Sequence, residues 1–182
     1  MAGLHLAQGA ALVSMVARYT TGPRYAEHEP LVTETSEAAD RLRTQALQLI
    51  DDDMAAFRGV IASYQLPKST APEKESRSAA IAGAATRAAS VPADVVGAAA
   101  EVISLAERLL PIANRNVISD VAAAADAARA AATTARVNVE INLSSITDAA
   151  TRESLILRIS GVDELAARAD TVTARVRRLL SQ

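Results

Sequence analysis

Apolar side chains recur along this 182-residue chain at spacings of three and four, in runs separated by Pro, Gly and short polar clusters. That period belongs to helices with one buried face. Leu4, Ala11, Leu12, Met15, Val16 and Tyr19 give a first helix, Ala2 to about Thr20, its apolar face, and Thr21-Gly22-Pro23 ends it. Pro30 suits the first turn of a second helix that runs to about Tyr64. Leu66-Pro67-Lys68-Ser69-Thr70 breaks the pattern, and Thr70 or Ser69 can cap a third helix from Ala71, with Glu73 at the positive end of its dipole. Val91-Pro92 predicts the end of that helix and the start of a fourth, which continues to about Leu110. A fifth covers about Val117 to Asn142, and a short one capped by Thr147 reaches about Ile159. Val162, Leu165, Ala169, Val172, Val176 and Leu179 mark a last helix that follows Gly161 and runs to Leu180. The expected fold is all-α: one domain over residues 1–182, an antiparallel up-and-down helical bundle with one long central helix as its spine.

That spine carries an anomaly. At 100° per residue, Leu42, Ala46, Leu49, Ile50, Phe57, Val60, Ile61 and Tyr64 fall on one stripe, with Asp53 in its middle. Asp51 and Asp52 point about 160° and 100° away from that line, where a carboxylate is ordinary. An ionised carboxylate in an apolar seam costs several kcal/mol unless it is paired, hydrogen-bonded or protonated. Either a hydroxyl or amide of a neighbouring helix bonds Asp53, or the carboxylate exchanges protons in a pocket.

The fifth helix is nearly free of bulky side chains, so it buries well only where other backbones come close, at the centre of a bundle or in a dimer seam. Asp120, Ala124, Ala127, Ala131, Ala135, Asn138 and Asn142 share one face of it within about 60°. A second carboxylate and two amides thus line up, either as inward polar groups or as residues that favour helix termini.

Composition narrows the chemistry. Half of the residues are apolar, largely Ala, and 2% are aromatic, which favours helix over strand. The net charge is -2 and the 19 Lys and Arg are scattered, so no basic face for nucleic acid is expected. With no Cys and only His5 and His28, the chain has neither a thiolate nucleophile nor a standard zinc set, and no metal is assigned. No run of eighteen apolar residues suggests a membrane span, and the start lacks a basic segment with a cleavage site; a cytoplasmic protein is expected. There is no phosphate-binding Gly loop, no supported Ser/His/Asp set and no Glu-x-x-His pair.

Asp51-Asp52-Asp53-Met54-Ala55-Ala56-Phe57 and Leu66-Pro67-Lys68 resemble the Asp-x-Asp-x-x-x-Phe and Leu-Pro-Lys elements of the formimidoyltransferase-cyclodeaminase family, in its cyclodeaminase/cyclohydrolase domain. The likeness continues through Ser14-Met15-Val16, Thr21-Gly22, Ser90-Val91-Pro92, Asn114-Arg115-Asn116, Ser119-Asp120, Asn138 to Leu143 and Ile146-Thr147-Asp148. It spans nearly the whole chain, and the order and spacing of these fragments carry it.

The resemblance implies a helical, homodimeric domain that acts on tetrahydrofolate bearing a one-carbon unit, with no further cofactor. Its second Asp is the catalytic one, which here is Asp53, the side chain that the helical wheel singles out. The implied reaction is cyclodeamination of 5-formimidoyltetrahydrofolate to the 5,10-methenyl form and ammonia; cyclohydrolysis of the methenyl form is the alternative. By analogy, Asn114, Asp120, Asn138 and Asn142 would position the folate, and Lys68 or Arg24 would meet its glutamate tail. Two departures stand out. Family members begin with Pro-Gly-Gly-Gly-Ser, whereas this chain opens at Met1-Ala2-Gly3-Leu4, so the Gly-rich loop is expected to be missing; the Gly of a usual Gly-Asn pair is Ala113. These departures raise a third reading, a non-catalytic dimeric bundle.

Overall fold

Small residues set how closely the helices approach. In the computed structural model, which describes residues 1–182, α1 (Ala2–Tyr19), α2 (Glu29–Tyr64), α3 (Ala71–Leu109) and α4 (Ile118–Leu143) run alternately up and down, and α5 (Ala149–Ile159) and α6 (Val162–Leu180) pack alongside. No strand forms. The low-volume helix α4 takes the centre, packed against α1, α3 and α6, with Ala124, Ala125, Ala128, Ala131, Ala132 and Ala135 buried. A Cβ on Gly9 of α1 would lie 3.0 Å from the carbonyl oxygen of Ala124. Here the two backbones come close enough that a side chain at Gly9 would push one of them back by a few tenths of an ångström.

This closeness overturns the expected face of α1. Leu4 and Tyr19 are more than half exposed and Ala11 faces water, while Gly3, Leu6, Gly9, Ala10, Val13 and Ala17 are buried. Of the predicted face only Val16 is fully inside; Leu12 and Met15 are partly so. Ranking by side-chain size misleads where the neighbour is a wall of alanine.

The predicted break at Val91-Pro92 is also absent. α3 continues through Pro92 for 39 residues and is the longer partner of the 36-residue α2. The missing proline N–H leaves the Ala88 carbonyl without its helical donor, a local cost of about 3 kcal/mol. Packing outweighs it: Pro92 and its neighbours Ala89, Ala93, Val95 and Val96 are all buried. An 18-residue window of α3 is apolar and long enough to cross a membrane, yet 56% of it is buried in the bundle, as a core helix would be.

Caps fix the other boundaries. Thr70 Oγ1 accepts the Glu73 N–H, while Glu73 accepts the N–H groups of Thr70 and Ser69 at 2.9 and 2.8 Å. Those bonds hold the Glu73 carboxyl below its usual range. Asp148, rather than Thr147, caps α5 by accepting the Thr151 N–H at 2.7 Å. α6 lies antiparallel on α4, where Arg136 meets Asp163 at 2.6 Å and Arg129 meets Asp170 at 3.4 Å. On its other side, Arg168 grips Glu107 and donates to Ser104 of α3.

Candidate functional site

α1 and α2 are antiparallel, and α1 begins beside the middle of α2. The first turn of α1 therefore stands next to Asp53: Met1, Ala2 and Gly3 share a depression of about 190 Å³ with Asp53, Leu49, Ile50, Pro92 and Asn138. An adjoining depression of about 330 Å³ holds Asp53 and Asn138 again, now with Phe57, Val60, Ala88, Ile141 and Asn142. Together they make one cleft between α2, α3 and α4, walled mostly by apolar side chains and carrying one carboxylate and two amides. Its size falls in the range of small-molecule sites, roughly 300–1,000 Å³.

Asp53 is half-buried at the rim rather than sunk in the seam. Two amides near it, Gln48 and Asn142, are committed elsewhere, whereas the side-chain amide of Asn138, which lines the cleft with it, makes no hydrogen bond within the chain. Gln48 donates to Asp52 at 3.0 Å, and Asn142 donates to the Asn138 carbonyl at 2.8 Å. The carboxylate thus lines the cleft and receives no hydrogen bond from Gln48, Asn138 or Asn142. Asp51 and Asp52 face water, as their angles require.

Two residues beyond Asn142, a third depression of about 410 Å³ begins at Ser144 and Ser145 and includes Lys68, Lys74 and Arg77. Arg77 donates to the Tyr64 carbonyl at 3.1 Å and lies over the Tyr64 ring at 5.4 Å from its centroid. The mostly apolar cleft, with its single carboxylate, therefore leads to a positively charged end. Lys68 lines it together with Lys74 and Arg77, two residues that the sequence pattern did not single out, although their three-residue spacing places them on one helical face.

The remaining candidates lie elsewhere. Asp120 shares a face with Asn138, but eighteen residues separate them, about 27 Å along the axis. Asn114 sits at that far end, where its Nδ2 donates to the Tyr19 carbonyl at 2.7 Å and its N–H donates to Thr20 Oγ1 at 3.1 Å. Its Oδ1 accepts the Asn116 N–H, so every polar atom of Asn114 holds the loop that leads into α4. Arg24 is exposed on the turn after α1, over the Tyr25 ring. Within one chain Arg24, Asn114 and Asp120 cannot reach what Asp53 touches. A depression of about 350 Å³ at their end, beside Thr20, Tyr25 and Glu29, has no counterpart of the acid–amide convergence.

Residues 1–160 match the sequence profile described as formiminotransferase-cyclodeaminase. The chain belongs to that family. It is 38% identical over 157 residues to a methenyltetrahydrofolate cyclohydrolase of Methylorubrum extorquens, covering 86% of this chain and 76% of that one. It is 30% identical over 157 residues to the formimidoyltransferase-cyclodeaminase of Rattus norvegicus, of which it spans 29%. A crystal structure of formiminotetrahydrofolate cyclodeaminase from Thermotoga maritima superimposes with a TM-score of 0.80 at 30% identity, covering 99% of this chain and 85% of that one. The bundle and its order of helices are thus the family's, and the named relatives are enzymes of folate one-carbon chemistry.

Proposed function

We propose that the Asp53 cleft binds a tetrahydrofolate carrying a one-carbon unit and hydrolyses 5,10-methenyltetrahydrofolate to 10-formyltetrahydrofolate. The observation that carries the reading is a half-buried carboxylate without an amide partner, facing an apolar cleft, in a chain 38% identical to a methenyltetrahydrofolate cyclohydrolase. Phe57, Ile50 and Pro92 supply flat apolar walls for a pterin, and Asn138 an amide for its polar edge. Lys68, Lys74 and Arg77 offer fixed positive charge for the glutamate carboxylates.

In this reading water adds to the cationic methenyl carbon as Asp53 takes a proton from it. The carbon–N5 bond then breaks, Asp53 returns that proton to N5, and the new hydroxyl loses its own proton to solvent, which leaves a formyl group on N10. General acid–base assistance of this kind is worth about 10²–10⁴-fold. The first turn of α1 points the positive end of its dipole at the same cleft.

The Thermotoga likeness favours a second reading, cyclodeamination of 5-formimidoyltetrahydrofolate with Asp53 moving protons from N10 to departing ammonia. Absorbance of the methenyl chromophore separates the two. Hydrolysis makes it decay, faster than the uncatalysed rate; cyclodeamination makes it grow from the formimidoyl substrate with one ammonia per turnover. Asp53→Asn is expected to keep folate binding and lose turnover about 10²–10⁴-fold. Full activity in that variant would overturn the role of Asp53.

A further inference from the structure

Most prolines of the chain stand where the backbone gives up nothing for them. Pro23, Pro30 and Pro72 lie in the first turns of their helices, where the N–H would be free in any case, and Pro67 and Pro111 lie in connections. Pro92 is different, since it stands inside α3, far from either end. Its ring carries no N–H, so the carbonyl of Ala88 has no partner at position 92. The nearby hydroxyls do not replace that partner. Thr86 donates to the Ala82 carbonyl at 3.0 Å and Ser90 to the Thr86 carbonyl at 2.8 Å. Filling the space at position 92 needs no proline, because a valine would bury a similar apolar volume and supply the N–H. A local rule broken in mid-helix without a gain in packing marks a place where the backbone serves another purpose.

Residues 88 and 92 are one turn apart on the same side of α3, and both line the cleft. Ala88 stands beside Asp53, Phe57 and Asn138, and Pro92 beside Asp53, Ile50 and Asn138. A helical carbonyl points along the axis toward the residue four positions on, so the unclosed gap lies on the cleft side, between the two depressions. From α4 the Asn138 side chain lines both depressions and bonds neither Ala88 nor any other group of the chain. Two polar groups of one cleft thus stand unpaired, and they do not pair with each other.

We infer that the Ala88 carbonyl, left open by Pro92, accepts a hydrogen bond from an N–H of the pterin ring held in this cleft. The inference rests on the folate reading above and adds an acceptor that belongs to the backbone. A reduced pterin donates from N3–H, its 2-amino group and N8–H, whereas the side chains here offer as acceptors Asp53, which that reading engages at the reacting carbon, and the amide oxygens of Asn138 and Asn142. A backbone carbonyl takes one such donor at a fixed place and does not titrate. It serves hydrolysis and cyclodeamination alike, because both substrates carry the same pterin edge. Pro92 is then a positioning residue that acts through Ala88, besides lending its ring to the wall.

Binding of 5-methyltetrahydrofolate to the full chain tests this, because that molecule keeps N3–H, the 2-amino group and N8–H and neither folate reaction consumes it. Pro92→Val restores an N–H at position 92 and closes the Ala88 carbonyl into the helix; it is expected to raise the melting midpoint and to weaken binding about tenfold. Placing the α-hydroxy acid analogue of valine at position 92 turns that peptide bond into an ester and removes the N–H again while the side chain stays the same. The ester chain is expected to bind within about threefold of wild type and to lose the gain in melting midpoint. Pro92→Val binding as tightly as wild type overturns the acceptor. An ester chain that binds as weakly as Pro92→Val overturns it too, by showing that the ligand meets the proline ring and not the carbonyl. A wild type that binds no tetrahydrofolate overturns the folate reading itself and this inference with it.

Discussion

The two halves of α2 carry the same apolar period and meet different fates. From Val32 to Leu49 its stripe lies under α1 and α3, and Val32, Ala39, Leu42, Ala46 and Leu49 are buried. From Asp53 onward α1 no longer accompanies α2, and Phe57, Ile61 and Tyr64 stay 44–64% exposed. An apolar stripe states which face seeks a partner. It does not state whether that partner is another helix of the same chain, a ligand or a second molecule.

Truncation breaks this comparison most strongly. Leu49→Ala is expected to cost 2–5 kcal/mol of unfolding free energy, about the usual range for a buried leucine. Phe57→Ala, on the bare half, should cost less than about 1 kcal/mol in urea melts at low protein concentration. The two ends of the bundle sharpen it next. Lys68→Ala, at the charged end, is expected to raise KM for the folate several-fold with kcat unchanged, about 1 kcal/mol of binding. Asn114→Ala, at the other end, should lower thermal stability by about 1 kcal/mol and leave KM alone.

A smaller effect is electrostatic. The bond from Arg168 holds the Glu107 carboxyl below its ordinary value, with the guanidinium correspondingly raised. A depressed carboxylate pKa adds stability above the unfolded-state value of about 4.3 and loses it as pH falls through the folded value. Both side chains are about a third exposed, so the contribution is below about 1 kcal/mol. Glu107→Gln should flatten the acid limb of stability against pH by that amount. Thr35→Val should have the slightest effect, and a favourable one. The Thr35 hydroxyl is fully buried without a partner, and its removal is expected to stabilise by up to about 1 kcal/mol in the same melts.

Helix type and most helix ends were legible because they rest on local chemistry: Thr70 with Glu73, Gly22-Pro23 after α1, the period of α6. Pro92 was misread because a local penalty of about 3 kcal/mol is smaller than what burial of its neighbours returns. That Asp53 lines a cleft was legible because a carboxylate on an apolar stripe is conspicuous in one dimension. The grouping of Asp120 with Asn138 failed for the opposite reason: a helical wheel keeps the angle and discards distance along the axis. The other cleft walls, Met1 to Gly3, Val91 and Pro92, come from separate helices whose relative sliding no periodicity records.

That sliding is fixed at Gly9. Its bare Cα meshes with the Ala124 backbone as a single notch takes a single tooth, and a shift of α1 by one turn would press the bulkier Leu12 or Val13 against a surface already tight for a single Cβ. A contact six residues from Gly3 on one rod and fourteen from Asn138 on the other thereby works as a dowel. It sets how far the chain's first turn projects toward Asp53, much as a stop sets the travel of a drawer.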